Sequence, residues 1–119
     1  MPFWDDVVLS SLPDVSGRLM LVDAFESPQR FRFNTIGQDI RVRYGTNVTG
    51  KFLDEMEIRA PFEYLTAQSS ATIETRLPSF YASVSSKSPA HQQDRYVRLL
   101  LPMWGNGRIE MILGAIGSG

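Results

Sequence analysis

The sequence predicts one α+β domain, a five-stranded antiparallel sheet with helices packed on one face and an N-terminal helix in front of it. Three observations lead to this prediction. Strand-like segments stand on both sides of a helical block. The segment RYVRLLLPMWGNGRIEMILGAI at 95–116 has two strand-like halves around an Asn-Gly turn, the pair that a type I′ turn requires. The segment RFRFNTI at 30–36 alternates apolar and polar residues, which is typical of a half-buried strand.

Composition and charge narrow the class of protein. The chain has 119 residues, of which 43% are hydrophobic and 21% charged, the balance of one soluble globular domain. A net charge of −1 supplies no field to attract nucleic acid or an anionic membrane. No secretory signal and no apolar run of about 20 residues is present, so we expect a cytoplasmic location. The absence of cysteine excludes disulfides, thiolate metal sites and a cysteine nucleophile.

Residues 1–12 are predicted to form the N-terminal helix, since their apolar side chains recur at helical spacing. Asp5 and Asp6 lie in its first turn, where they suit the helix dipole. A helix this short needs a docking partner. Two interpretations stay open: it covers the chain's own core, or it forms a patch for a second copy of the chain with Phe3, Trp4, Val7 and Val8.

The first two strands are predicted at 18–25 and 30–36, joined by a polar turn. Arg30 and Arg32 alternate with phenylalanines and are interpreted as solvated residues of the ladder rather than as anion ligands. A short helix is expected at 37–44, ended by Gly45. Within it, Ile40 and Tyr44 lie four residues apart and share a face.

The longest helix is predicted over 60–76, with Pro61 in its first turn. Its many small residues favour close packing against the sheet over a hollow beneath the helix. A strand is expected at 79–86, then a polar loop holding His91, the only histidine, which is interpreted as a solvated loop residue. The last two strands follow at 96–103 and 108–115. The domain is taken as 13–116, and 117–119 is expected to be a frayed tail.

Several motifs resemble those of a PAS-like family common in proteobacteria. Its members run aromatic-Arg-aromatic, then a glycine near the start of a short helix, a Leu-Thr-Gly-Lys/Arg turn and a Leu-Asp-Glu stretch. The matching residues here are Phe31-Arg32-Phe33, Gly37, Val48-Thr49-Gly50-Lys51 and Leu53-Asp54-Glu55. The closing segment resembles the family's final hairpin, with leucines ending in proline, a glycine-rich turn and an aliphatic strand ending near Gly-Ala. The resemblance covers about residues 12–116.

The resemblance implies a PAS fold and a sensor or interaction module. PAS domains hold small ligands or cofactors between sheet and helices, and many dimerise through an N-terminal helix that packs on the sheet. A homodimer is therefore expected, with Phe3, Trp4, Val7 and Val8 as the candidate interface. The domain is expected to be freestanding, so that its output would be contact with another signalling protein.

The resemblance also bears on cofactors. A flavin photosensor of this fold needs a reactive cysteine on the helix after the second strand, and the chain has none, so flavin–cysteinyl photochemistry is excluded. A haem-binding member normally supplies a histidine from the long helix, and residues 60–76 contain none, which speaks against haem.

A small-molecule sensor of this fold would need an interior pocket. The candidate lining residues are aromatic and apolar, with an arginine as a possible anchor for an anion: Tyr44, Phe52, Met56, Tyr64, Tyr81, Leu99 and Met111, with Arg41 or Arg59. The alternative is that these side chains fill the core, which would make the chain a purely structural interaction domain.

A small α+β cavity enzyme is the other alternative. Asp23, Asp54 and His91 are the only material for such a site, and nothing in their spacing brings them together. The sequence therefore predicts a non-catalytic module with no metal site.

Overall fold

The computed structural model describes residues 16–83 and 95–118. Within them, five strands form one antiparallel sheet in the order β2-β1-β5-β4-β3. The predicted fold class is thereby confirmed, while the predicted N-terminal helix lies outside the described residues. The elements are a 3-10 turn at Ser16–Arg18, β1 (Leu19–Phe25), β2 (Arg30–Ile36), α1 (Gln38–Tyr44), a 3-10 turn at Leu53–Glu55, α2 (Leu65–Thr75), β3 (Ser79–Ala82), β4 (Tyr96–Gly105) and β5 (Arg108–Ser118).

The β4–β5 hairpin turns at the predicted Asn-Gly pair. Asn106 and Gly107 both have positive φ, 50° and 80°, as a type I′ turn requires. The pairing changes from Met103–Met111 to Trp104–Ile109, so that Glu110 is the extra residue of a bulge in β5, just after the turn. From this turn the two strands pair as far as Tyr96 of β4 and Ser118 of β5.

The sheet carries apolar residues on both faces. The inner face packs against α1, the 3-10 turn at Leu53–Glu55 and α2, and its strand residues include Met20, Val22, Leu100 and Ile112. We call the opposite side the outer face. Its residues alternate with those of the inner face and pair across the strands; they are Leu21, Met103 and Met111, with Leu101 and Leu113 beside them.

The short helix agrees with the prediction. It spans Gln38–Tyr44 and ends at Gly45, whose φ of 106° lies in the left-handed region that favours glycine. Ile40 and Tyr44 are both buried, as their spacing predicted. The face they share packs into the core on the inner side of the sheet.

The long helix is shorter than predicted. It begins at Leu65 rather than at Ala60, because Tyr64 has a φ of 59°, which a right-handed helix cannot contain. The residues before it form turns, and Phe62 reaches the core from there with no exposed surface. The buried face of α2 agrees with the prediction that this helix packs closely on the sheet. It consists of Leu65, Gln68, Ser69 and Thr72.

Two strand boundaries also differ from the prediction. β3 ends at Ala82 instead of Ser86 within the described residues, and β5 continues to Ser118. Gly117 and Ser118 were expected to be part of a frayed tail, but they pair with Val97 and Tyr96 of β4. The tail prediction is wrong there, since the long partner strand offers backbone groups to both residues.

The two arginines of β2 form ion pairs within the chain. Arg30 donates two hydrogen bonds to the carboxylate of Asp54, both of 2.8 Å, and Arg32 donates to Asp23 at 2.9 and 3.1 Å. The Arg30 guanidinium holds the pKa of Asp54 below its usual range. Arg30 therefore ties the edge strand to the 53–55 turn, a role more specific than that of a solvated ladder residue.

Candidate functional site

A buried arginine is the centre of the polar interior. Arg98 of β4 lies on the inner face and is the largest fully buried side chain of the described residues, with 0% exposure. Its Nε donates to Oε1 of Gln68 at 2.7 Å, and its Nη1 and Nη2 donate to the carbonyls of Pro61 and Glu63 at 2.8 and 2.7 Å. Burial lowers the pKa of this guanidinium, which keeps its proton because arginine does not titrate in proteins. Arg98 thereby joins the sheet to the segment that leads into α2.

The polar face of α2 completes this arrangement. Gln68 accepts from Arg98 and donates through Nε2 to the hydroxyl of Ser79, at 3.0 Å. The Ser79 hydroxyl also shares a 2.7 Å hydrogen bond with that of Thr72. A helix with small polar residues can approach the sheet because the sheet presents a matching donor and acceptor there.

Aromatic side chains cover the guanidinium. Arg98 lies 4.7 Å from the ring centroid of Tyr81, and the Tyr81 ring in turn lies 5.9 Å from that of Tyr96. The Tyr96 hydroxyl donates to Oε1 of Glu63 at 3.2 Å. Burial first, and then the Glu63 carboxylate, raise the pKa of Tyr96 well above 10, while the charge of Arg98 acts in the opposite direction.

The raised pKa of Tyr96 predicts a loss of stability at alkaline pH. An unfolded tyrosine ionises near pH 10, whereas folded Tyr96 keeps its proton to higher pH. The contribution of protonated Tyr96 to the free energy of unfolding is therefore fully present below about pH 10. It declines as the pH rises from there toward the pKa of the folded chain, because the unfolded chain loses the proton first. Urea unfolding at about pH 8 and about pH 10.5 should show a smaller alkaline loss for Tyr96→Phe than for the natural chain. Equal losses in the two proteins would contradict this assignment.

The remaining space between the sheet and the helices is filled by aromatic side chains. The ring centroid of Phe62 lies 4.7 Å from that of Phe33 and 5.1 Å from that of Tyr44. Phe33, Phe62 and Leu65 have 1% exposure or less. For the described residues, this packing favours the alternative of a filled core over that of a ligand pocket at the same place.

Two predicted pocket residues lie together beside this packing. Arg59 stacks at 4.0 Å over the ring of Tyr44 and donates through Nη2 to its carbonyl at 2.9 Å. The Tyr44 hydroxyl donates to the carbonyl of Glu57 at 2.6 Å. The other predicted anchor, Arg41, donates to Gln38 on the same helix. Both arginines thus make hydrogen bonds within the chain.

Four further predicted residues lie in the helical layer or on the strand β3. Met56 is partly buried against the main cluster, whereas Phe52 packs on Phe25 with a ring separation of 5.6 Å. Tyr64 is mostly exposed and lies 5.9 Å from the partly buried Tyr81. Phe52 thus contacts the end of β1, whereas Tyr64 and Tyr81 contact each other.

Leu99 and Met111 are a correction to the predicted pocket. Both lie on the outer face, Met111 in the cluster with Leu21 and Met103, and Leu99 opposite Ala115 of β5. Neighbouring residues of a strand point to opposite faces, so that Leu99 points away from the interior that Arg98 occupies. Arg98 itself was absent from the predicted site. The sequence did contain a signal for it, namely the alternation of β4. Arg98 lies two residues from both Tyr96 and Leu100 and therefore shares their buried face.

The outer face continues to an exposed apolar edge. Phe80 of β3 pairs with Leu99 of β4, and the two side chains are 65% and 39% exposed. In the parts of the chain that the structure describes, no helix contributes to the outer cluster. The predicted interface residues Phe3, Trp4, Val7 and Val8, like His91, lie outside the described residues.

Neither a metal site nor a membrane helix is found in the described ranges 16–83 and 95–118. No three acidic, histidine or cysteine side chains gather there at metal-binding distance. None of the helices there has the length and apolar character needed to cross a membrane.

The chain matches no protein-family model and no curated protein. Among solved structures it is similar to the PAS domain of the histidine kinase ThkA, with a TM-score of 0.59 and 12% sequence identity. The match covers 84% of this chain and 96% of that one. An identity this low shows the fold alone. The chain therefore has the fold of a PAS domain, as its motifs and its order of elements predicted.

Proposed function

We propose that the chain is a non-catalytic regulatory module of the PAS type that acts by pairing with a second copy of itself through the outer face of the sheet. The observation that carries this proposal is the apolar character of that face. An antiparallel sheet usually has one apolar and one solvated face, whereas this sheet has an apolar cluster on each. A second apolar face is stabilised when a further layer of protein covers it.

The exposed pair at the β3–β4 edge supports a second copy of the chain as that layer. Phe80 and Leu99 extend the outer cluster to the surface, where contiguous apolar side chains mark interaction sites. Phe3, Trp4, Val7 and Val8 are proposed to add apolar surface to the same interface. The proposed output is contact of this dimer with a further signalling protein in the cytoplasm.

The carboxylates considered for catalysis support a non-catalytic role. Asp23 accepts hydrogen bonds from Arg32, and Asp54 is held by Arg30 at the edge of the sheet. Each is engaged in a structural ion pair with an arginine of β2. The filled interior likewise favours a module that signals by contact and holds no ligand in its core.

Sedimentation equilibrium of the full chain tests the proposal. Leu99→Glu places a charge on the outer face at a partly exposed position, where the fold tolerates it. The matched control is Val42→Glu, since Val42 is an apolar residue of α1 that is 69% exposed in the opposite layer. We expect the natural chain and the Val42 variant to be dimers, and the Leu99 variant to dissociate with a dissociation constant at least about tenfold higher.

Two outcomes of this experiment would overturn the proposal. One is a natural chain that is monomeric at every concentration. The other is an equal effect of the two substitutions, which would place the interface elsewhere. Circular dichroism melts of both variants show whether each remains folded, so that loss of the dimer is not confused with loss of the domain.

A further inference from the structure

A cleft opens at one end of the domain, away from the buried Arg98. It lies between the C-terminal end of α2 and the tips of two hairpins, the β1–β2 turn and the β4–β5 turn. Its volume is about 230 Å³. The residues used in the argument are Phe25, Ile73, Arg76, Trp104, Arg108 and Ile109.

We propose that this cleft binds a small aromatic carboxylate, with the carboxylate on Arg76 and the ring against Trp104. The proposal goes beyond the function proposed above, because the cleft lies at the hairpin end of the sheet against the end of α2, and its lining includes neither Leu99 nor Phe80. Its volume is below the roughly 300–1,000 Å³ of sites for drug-sized ligands, so a ligand with a single ring suits it.

The two arginines of the cleft differ in their partners. Arg108 donates to the carbonyl of Ala24 at 3.2 and 3.3 Å and forms an ion pair with Glu26 at 3.2 Å. Arg76 is exposed and lies 5.8 Å from the Trp104 ring, and no carboxylate of the described residues is within ion-pair distance of it. Its guanidinium therefore has donors available for the fork geometry of a carboxylate.

The backbone conformation of Arg76 is a second observation that supports a binding site at this cleft. Arg76 caps the end of α2 in the left-handed conformation, with φ 59° and ψ 25°. Glycine is the usual residue at such a position, because a Cβ atom is crowded there. An arginine in this place carries strain, and strain of this kind gathers at functional sites.

The apolar walls and the charge of the cleft define the ligand class. Phe25, Ile73, Trp104 and Ile109 offer apolar and aromatic surface on which a ring can stack. Arg76 and Arg108 against the single carboxylate of Glu26 leave an excess of one positive charge, which selects an anion over a cation. A planar carboxylate of one ring meets both conditions.

Nuclear magnetic resonance titration with phenylacetate tests the proposal on the full chain. The sequence has two tryptophans, and comparison with the Trp104→Phe chain identifies the indole N–H signal of Trp104. We expect saturable movement of the Trp104 signal. Phenylacetamide has the same shape without the charge, and we expect it to bind at least about tenfold more weakly.

Variants of Arg76 separate ligand binding from a role at the helix end. Arg76→Gly removes both the charge and the strain, so it should fold at least as stably as the natural chain and bind phenylacetate at least about tenfold more weakly. Arg76→Lys keeps the charge and should retain most of the binding. Arg18→Gln is the matched control, because Arg18 lies before β1 and the cleft lies at the far end of that strand.

The outcomes that overturn the inference are clear. They are the absence of saturable binding, a Trp104 signal that does not move, equal affinity for the amide, or undiminished binding by the Arg76→Gly chain. The Leu99→Glu chain should bind phenylacetate as the natural chain does. A failure of the proposed dimer interface is thereby distinguishable from a failure of the cleft.

Discussion

Replacing Arg98 with methionine is expected to lower the free energy of unfolding by about 3–5 kcal/mol. Methionine fills much of the same space but donates no hydrogen bonds. Three acceptors would lose their partner inside the protein: Oε1 of Gln68 and the carbonyls of Pro61 and Glu63. A buried acceptor left without a donor is destabilising by roughly 1–3 kcal/mol, and these three share one donor group.

Urea unfolding of the natural and variant chains measures this loss. Arg18→Met is the matched control, since Arg18 is exposed and its replacement should change stability by no more than about 0.5 kcal/mol. Arg98→Lys should fall between, because one ammonium group cannot reach all three acceptors. A loss below about 1 kcal/mol for Arg98→Met would show that the guanidinium does not hold the sheet to the helical layer.

Replacing Phe62 with alanine is expected to lower the free energy of unfolding by about 3–5 kcal/mol as well. Phe62 comes from the turns before α2, yet it has no exposed surface and packs between the rings of Phe33 and Tyr44. Its removal takes away buried apolar area and leaves a cavity between β2 and α1. The loss is therefore that of a central core residue and not that of a loop residue.

Ile58 provides the control for this prediction, as it lies four residues earlier in the same connection and is 47% exposed. Ile58→Ala should lower stability by no more than about 1 kcal/mol. The same urea experiments compare the two variants. Similar small losses for both would mean that the connection before α2 packs loosely on the sheet.

The parts of the fold that local sequence determines were predicted well. Asn106 and Gly107 favour one turn type almost regardless of their surroundings, and the alternation of 30–36 determines which face of β2 is buried. The end of α1 at Gly45 is another local signal. These features needed no knowledge of distant contacts.

The start of α2 depends on tertiary contacts instead. Pro61 suits the first turn of a helix, and the following residues have no strong helix breaker. The chain turns there because Phe62 inserts into the core and because the carbonyls of Pro61 and Glu63 accept hydrogen bonds from Arg98. Arg98 lies 37 residues beyond Pro61 in the sequence, so the residue pattern around Pro61 does not indicate this hydrogen bond.

The predicted site shows the same limit. The candidate pocket residues were chosen by residue type, and Leu99 and Tyr81 were therefore assigned to the same pocket. Tyr81 pairs with Arg98 and lies on the inner face, whereas Leu99 lies on the outer face. The register of β3 and β4 decides this, and a shift of one residue reverses the face. The alternation of β4 indicates that the Arg98 side chain lies on the inner face. Two of its three hydrogen-bond acceptors are backbone carbonyls, however, and no sequence pattern identifies those.

In the proposed dimer, two copies of the chain meet through the outer face. Because the chain has no natural cysteine, single spin labels can be attached at Ala82→Cys on the outer side and at Val42→Cys on α1. Electron–electron resonance then measures the distance between the two labels of a dimer. Pairing through the outer face should bring the Ala82 labels closer together than the Val42 labels by about 20 Å, since one helix diameter of about 10 Å separates the positions in each subunit. Val42 labels that lie closer than the Ala82 labels, or labels at Ala82 that show no coupling, would contradict it.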